Sequence, residues 1–402
     1  MRILPYQIKD LVFFPYLSIN VNYSCLFFRC DNRNFTKNQE KCNDNLLSNK
    51  TFGFLSDTSK SKIRKAINLL LYLSPKQKTG IVETKKNFTY QITFTTLTLP
   101  SKQIHSDAEI TQKCLHDFLN ILRKNYGLLH YVWKAEKQEN GNIHYHLTTN
   151  IFIHWKDLRE IWNLCMEKLG YVTQYENNMK KFHKYGFKVR TEKLETWSYL
   201  EQKSAYEYGQ KTNWRNPNST DIHSVINIKD LAAYVSEYFT KQPLTNIQLE
   251  EYKHCTTQIK QSEIIIKKLE KQIKTNEYKY GNELSELNNI IKFNLQVIDE
   301  NKKRIEKYSH LFVNSRVWFL SRTLSGFKCS LSLDSTEECE EIENYMNLNK
   351  NEVKQKDSCT LIFSDVKKLA ANGCKQLKNA FDFELENHIA MKTANREFNL
   401  KI

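Results

Sequence analysis

Apolar and polar positions alternate through the middle of the chain. Leu129, Tyr131 and Trp133 precede an Asn140-Gly141 pair, and Ile143, Tyr145 and Leu147 follow it. A period of two marks half-buried strands, and Asn-Gly supplies the positive φ of a tight turn, so residues 129–153 are predicted as a β-hairpin. Elsewhere the period lengthens to that of helices. Ser56 to Ser59 opens a helix carrying Ile63, Ile67, Leu70 and Leu71 on one face, with Pro75 beyond its end. Ser106-Asp107-Ala108-Glu109 opens another with Leu115, Phe118, Leu119 and Leu122 inward and Gly127 as its stop. A strand over residues 88–99, a helix over 155–169 ended by Gly170, and a short strand over 222–226 complete this part. Strands and helices arranged around a hairpin predict an α+β domain with a central antiparallel sheet.

From Asn246 the pattern changes. Leu249, Tyr252, Ile259, Ile266, Leu269 and Ile273 recur at spacings of three, four and seven, and Leu284, Leu287, Ile291, Leu295, Ile298 and Ile305 do the same. Tyr280-Gly281-Asn282 interrupts the series, so two long helices folded as an antiparallel hairpin are expected. A structural arm and a self-association or partner-binding element are both open for it. Residues 1–50 read as irregular with strand-like pieces.

The hairpin carries the candidate chemistry. His144 and His146 fall on one face of a strand and Tyr145 on the other, which makes two imidazoles half of a metal site. Such a pair on a strand is by itself more often an ordinary satisfied or surface pair. Glu136, eight residues upstream, is the carboxylate that could complete the set, and loop parity decides whether it does. A two-residue Asn140-Gly141 loop sets Glu136 opposite Tyr145. A three-residue loop from Glu139 to a left-handed Gly141 sets it opposite His144, and this odd loop is expected. An N,N,O set with open positions suits Mg²⁺ or Mn²⁺ acting as a Lewis acid.

Downstream, Asn227 reads as a helix N-cap, and Tyr234, Tyr238 and Lys241 then share one helical face. An aromatic pair at that spacing is ordinarily core packing. A phenol is also a usable nucleophile toward a phosphodiester once a cation neutralises the phosphate.

Three motifs together resemble the HUH endonucleases, the rolling-circle replication initiators of small phages and plasmids, in their two-tyrosine microvirus form. They are Phe94-Thr95-Thr96-Leu97-Thr98-Leu99-Pro100, then Glu136 with Gly141-Asn142-Ile143-His144-Tyr145-His146, then Tyr234-x-x-x-Tyr238-x-x-Lys241. Glu237 departs from the basic residues often found between such tyrosines. The resemblance is firm over about residues 85–243 and implies a ferredoxin-like nuclease fold, assigned to residues 51–245; the pattern along the chain adds an N-terminal extension over 1–50, the helical hairpin over 246–311 and a C-terminal extension over 312–402. It also implies a mechanism. Glu136, His144 and His146 hold Mg²⁺ or Mn²⁺, Tyr234 attacks the scissile phosphate of single-stranded origin DNA to leave a 5′-phosphotyrosine and a free 3′-OH, Tyr238 acts as the second nucleophile, and Lys241 orients the phosphate. A single-strand transposase, a plasmid mobilisation relaxase and a non-catalytic nucleic-acid-binding phage protein are the rival readings. The tyrosines follow the histidines, which argues for an initiator over a relaxase.

Charge and aromatic content agree with a polyanionic partner. There are 60 Lys+Arg against 45 Asp+Glu, a net charge of +15, and phosphate neutralisation dominates nucleic-acid affinity. Basic and aromatic residues interleave most densely over residues 171–215, which reads as a DNA-contacting insertion or, equally, a solvated loop. The ten cysteines include no C-x-x-C pair and are expected as reduced thiols. No apolar run reaches membrane-spanning length and no signal-peptide pattern occurs, so a cytoplasmic protein in a bacterial host is expected. The absence of a G-x-x-x-x-G-K-[ST] loop implies that unwinding needs a host helicase, with a host polymerase extending the 3′-OH.

Overall fold

The computed structural model describes residues 3, 5–8, 11–30, 55, 57–81, 86–225, 237, 239, 245–275, 281–333, 336–356, 358–371 and 373–399. Tyr234, Tyr238 and Lys241 lie outside the described residues, as does the rest of their predicted helix apart from Glu237 and Phe239. The chain opens with strands β1 (Tyr6–Ile8), β2 (Leu11–Asn20) and β3 (Tyr23–Cys30), then helix α1 (Asp57–Leu73). A small hairpin, β4 (Gln77–Ile81) and β5 (Lys86–Tyr90), leads through Gln91 into β6 (Ile92–Leu97). Helix α2 runs from Asp107–Ile110 through a π-helical turn, Thr111–Leu115, into His116–Tyr126. Next come β7 (Tyr131–Lys137), β8 (Ile143–Thr149), α3 (Trp155–Glu167), α4 (Tyr171–Phe182), α5 (Tyr199–Lys211) and β9 (Thr220–Val225). Helices α6 (Asn246–Thr275) and α7 (Gly281–Glu306) form the predicted long hairpin. The C-terminal part supplies β10 (Trp318–Leu320), β11 (Cys329–Ser332), α8 (Thr336–Leu348), β12 (Val353–Gln355), β13 (Thr360–Ile362), α9 (Val366–Ala371) and α10 (Lys375–Asn399).

The fold is α+β and its larger sheets are antiparallel. One has five strands in the order β10-β7-β8-β6-β9. Its two faces differ as the alternation requires. Tyr131, Trp133, Tyr145 and Leu147 are buried with Phe118 and Leu122 of α2 and Trp162 and Met166 of α3, and each large apolar side chain so covered contributes about 1.5–3 kcal/mol. Ser106 and Glu109 form a capping box at the start of α2, and Gly127, at φ 66°, closes its end. On the opposite face Val132 and Ile92 meet Ile63, Ile67 and Leu70 of α1. Phe94, Trp318 and Leu320 belong with the same apolar cluster, and Thr96, Lys134, Glu136, His144 and His146 supply the polar part of that face.

The two ends of the chain meet. β1, β2 and β3, from the predicted N-terminal extension, join β11, β12 and β13, from the predicted C-terminal extension, in one sheet. Leu17, Leu26, Ile362 and Phe381 share a single buried cluster with α1, so the ends of the chain pack onto the predicted nuclease part. Local periodicity cannot show pairing between strands at opposite ends of the chain. Pro15 is tolerated in β2 for a geometric reason. Its carbonyl accepts from Leu333 N–H at 3.1 Å, so its missing donor faces the gap between β1 and β11, where no ladder bond is needed.

Residues 171–215 are also more regular than expected, with α4 and α5 held by rings rather than by an apolar period. His183 stacks on Trp214 at 5.2 Å and 7°, and Tyr206 lies within 4.8 Å of His183 and 5.4 Å of Phe187. Gly209 is required beneath the indole, since a Cβ there would sit 2.1 Å from Trp214 Cζ3. Gly209→Ala is therefore expected to lower the melting temperature, through overpacking of about 1–3 kcal/mol. An unhindered helical Gly→Ala change would stabilise by about 1 kcal/mol instead, so the sign of the shift in a calorimetric scan tests the contact.

In the α6–α7 hairpin Ile259, Ile266 and Ile298 are buried with Ile291 and Ile305 against them. Leu284 and Leu295, expected inward, are 43% and 53% exposed. Asn294 and Asn301 occupy the seam instead and donate their side-chain amides to Ile290 O and Val297 O, each at 2.8 Å. No helix among the described residues is long and apolar enough to cross a membrane. The eight cysteines with described side chains are free thiols.

Candidate metal centre

The odd hairpin loop is present. Gln138 N–H donates to Asn142 O at 2.8 Å, and Gly141 N–H returns to Gln138 O at 2.8 Å. Glu139, Asn140 and Gly141 thus form a three-residue loop ending in a left-handed glycine at φ 80°. The register that follows pairs Glu136 with His144 and Lys134 with His146. A buried Asn142 fixes the loop to the segment after β6. Its Nδ2 donates to Ser101 O at 2.9 Å, its Oδ1 accepts from Gln103 N–H at 2.9 Å, and Gln103 Oε1 accepts from Ile143 N–H at 2.7 Å. Tyr145, on the other face, is fully buried.

Glu136, His144 and His146 converge at the polar end of the sheet, their potential ligand atoms all within 4.8 Å of one another. Both imidazole Nε2–H groups donate to Glu136 Oε1 at 2.8 Å. The other carboxylate oxygen, Oε2, lies 3.0 Å from Lys134 Nζ. The cluster is graded in exposure, since the side chain of His146 is 2% exposed, that of His144 14% and that of Glu136 31%. The carboxylate therefore faces the approach from solvent, and His146 is the most enclosed of the three. Phe94 stacks on His146 with centroids 5.4 Å apart, and Thr96 Oγ1 lies 3.3 Å from His146 Nδ1.

The electrostatics suit a cation. Burial alone pushes the Glu136 carboxyl up, but the hydrogen bonds from His144 and His146, with the charge of Lys134, outweigh it and hold the group well below the usual carboxylate range. Burial pulls the His146 imidazole below its ordinary value, against the opposing hydrogen bond from Glu136. An ionised carboxylate and a neutral imidazole are the forms that bind metal. Two nitrogens and one oxygen at this spacing fit a divalent cation with positions left open, and the cluster could hold one.

Lys134 and the roles of Phe94 and Thr96 were not singled out in the sequence. The signal for Lys134 was available, because alternation puts residue 134 on the face of residue 136. Thr96 fixes the ring of a ligand from behind, which governs its tautomer. Thr96→Val, nearly isosteric, is expected to weaken Mn²⁺ binding about tenfold with an unchanged melting temperature, as read by calorimetric titration.

Tyr234, Tyr238 and Lys241 lie outside the described residues, but Phe239, bonded to Tyr238, is described. Phe239 is fully buried and packs edge to face on Phe94 at 6.2 Å. Phe94 thus lies between Phe239 and His146 and touches both rings. Glu237 is exposed. In the 171–215 unit Tyr185 is 94% exposed. Lys184 lies over its ring at 5.3 Å, and Lys188 and Arg190 lie over Phe182 at 5.2 and 5.0 Å.

Residues 92–243, which contain four of this sheet's five strands and its polar end, match the family model described as Replication-associated protein ORF2. The match covers 152 of the 402 residues. No curated protein and no solved structure matches the chain.

Proposed function

We propose that the chain is a two-tyrosine HUH initiator that nicks and rejoins single-stranded origin DNA in rolling-circle replication, in the cytoplasm of a bacterial host. The observation that carries this reading is the convergence of Glu136, His144 and His146, with Phe239 packed through Phe94 against that cluster. The antiparallel sheet, with two helices across the face opposite the cluster, supports a ferredoxin-like nuclease arrangement.

Glu136, His144 and His146 would hold Mg²⁺ or Mn²⁺, which supplies neutralisation of charge on the scissile phosphate. The Tyr234 phenol attacks phosphorus, the P–O3′ bond breaks, and the 3′-oxygen leaves as a hydroxyl that a polymerase can extend. Lys241 orients the phosphate and favours the phenolate. Because the phosphotyrosine is itself a phosphodiester, a returning 3′-OH reseals the strand without a nucleotide cofactor. Tyr238 serves a second cleavage while Tyr234 still holds an end. Lys134 keeps Glu136 ionised, and the basic rings of residues 180–190 contact the strand away from the scissile bond.

The test is incubation with a randomised pool of end-labelled single strands and Mn²⁺, followed by denaturing electrophoresis and mass spectrometry. A protein–DNA adduct mapped to Tyr234 or Tyr238 is expected. Metal-dependent cleavage that leaves a free 5′-phosphate and no adduct would overturn the assignment.

A further inference from the structure

A cavity of about 800 Å³ opens beside the outer edge of β10, between that strand, the β2–β3 turn and α1. Its charge is one-sided. Lys62, Lys65, Arg316 and Lys328 line it, no lining residue is acidic, and all four cations are exposed. None of them forms an ion pair among the described residues. Helix α1 builds one wall with a stripe at i, i+3, i+4 and i+7, namely Lys62, Lys65, Ala66 and Leu69. The other wall is aromatic, with Trp318, Phe319 and Phe327, and Tyr23 lies at the turn. The cations already sit on rings, Lys65 over Tyr23 at 5.7 Å and Arg316 over Phe319 at 5.4 Å.

The cavity lies in register with the metal centre. Trp318 pairs with Lys134, and Lys134 with His146. Cross-strand partners share a face, so Trp318, Lys134 and His146 form one row. With strands about 4.8 Å apart, Trp318 is two strands, about 10 Å, from His146.

We propose that this cleft binds unpaired nucleotides of a single DNA strand and leads that strand to the metal centre. The proposal rests on the nuclease reading for its direction, but not for its binding chemistry. Unpaired bases stack on Trp318 and Tyr23, while Lys62, Lys65 and Lys328 neutralise successive phosphates. Rings interleaved with cations and no carboxylate is the composition that tracks single strands without base-edge readout.

The test is equilibrium binding of a labelled single strand to the full chain in EDTA, where cleavage plays no part. Lys62→Ala with Lys65→Ala is expected to weaken binding about tenfold and to flatten the salt dependence by about 0.7 per lysine removed. Both positions are exposed on α1, so the fold should persist, and an unchanged melting curve checks this. Photocrosslinking to a halogenated pyrimidine strand is expected to label Trp318 or Tyr23. A duplex of the same sequence and free deoxynucleotides should compete poorly. Wild-type affinity and salt slope in the double variant would overturn the proposal, as would crosslinks confined to Tyr185 or equal competition by free nucleotides. If the cleft variants lose binding while the intact chain forms no adduct, the cleft stands and the tyrosine chemistry falls.

Discussion

Alanine in place of Glu136, His144 or His146 is expected to lower metal-dependent strand cleavage by about 10²–10³-fold. A Lewis acid at a phosphoryl centre supplies several kcal/mol of transition-state stabilisation, and each factor of ten in rate corresponds to about 1.36 kcal/mol. The three side chains present one convergent donor set on two adjacent strands. Loss of any one leaves a two-ligand site that water can complete but that no longer fixes the cation. Calorimetric titration with Mn²⁺ should show the same loss, which separates a metal defect from a DNA-binding defect. Wild-type Mn²⁺ affinity in Glu136→Ala would exclude the carboxylate as a ligand. Acidification should act in the same direction, because each imidazole must be neutral to bind. Burial already holds His146 below its ordinary value, so its part of the loss falls at lower pH than for an exposed histidine, as titrations at several pH values would reveal.

The register that assembles this site was legible in the sequence because it depends on local chemistry. Asn140-Gly141 fixes the turn, alternation fixes the faces, and the parity of a three-residue loop sets Glu136 against His144. A one-residue slip would send either partner to the opposite face, where Tyr145 and Trp133 leave no room for a charge. Helices α1, α2 and α3 were legible for the same reason, each having an apolar face at its own period. What lay beyond reach was set by distant partners. β3 pairs with β13, and β10 adds itself to the edge of the sheet that carries Glu136, His144 and His146. Nothing in Trp318-Phe319-Leu320 announces Lys134 as its neighbour. The 171–215 unit escaped for another reason. Its order comes from His183, Tyr206 and Trp214 stacked around Gly209, and stacked rings follow no backbone period. The cleft beside β10 joins the N-terminal strands, α1 and the C-terminal part, so it exists only in the folded chain.

The tyrosine variants should give the sharpest result. Tyr234→Phe with Tyr238→Phe is expected to abolish the covalent protein–DNA adduct while leaving Mn²⁺ titration and strand binding unchanged. Phenylalanine keeps the ring and removes only the attacking oxygen. The single variants should diverge, because the two phenols differ in their place along the chain. Tyr238 is bonded to Phe239, whose ring packs against Phe94 beside His146. Tyr234 comes one helical turn earlier by the sequence pattern and would reach the phosphate from a different angle. Each single variant should therefore retain one nick and lose the alternation of nucleophiles, seen as adduct formation without transfer of the bound strand to a second 3′-OH. An adduct that survives in the double variant would place the nucleophile elsewhere. A double variant that loses Mn²⁺ binding as well would instead identify the two tyrosines as packing residues, the ordinary role of an aromatic pair at helical spacing.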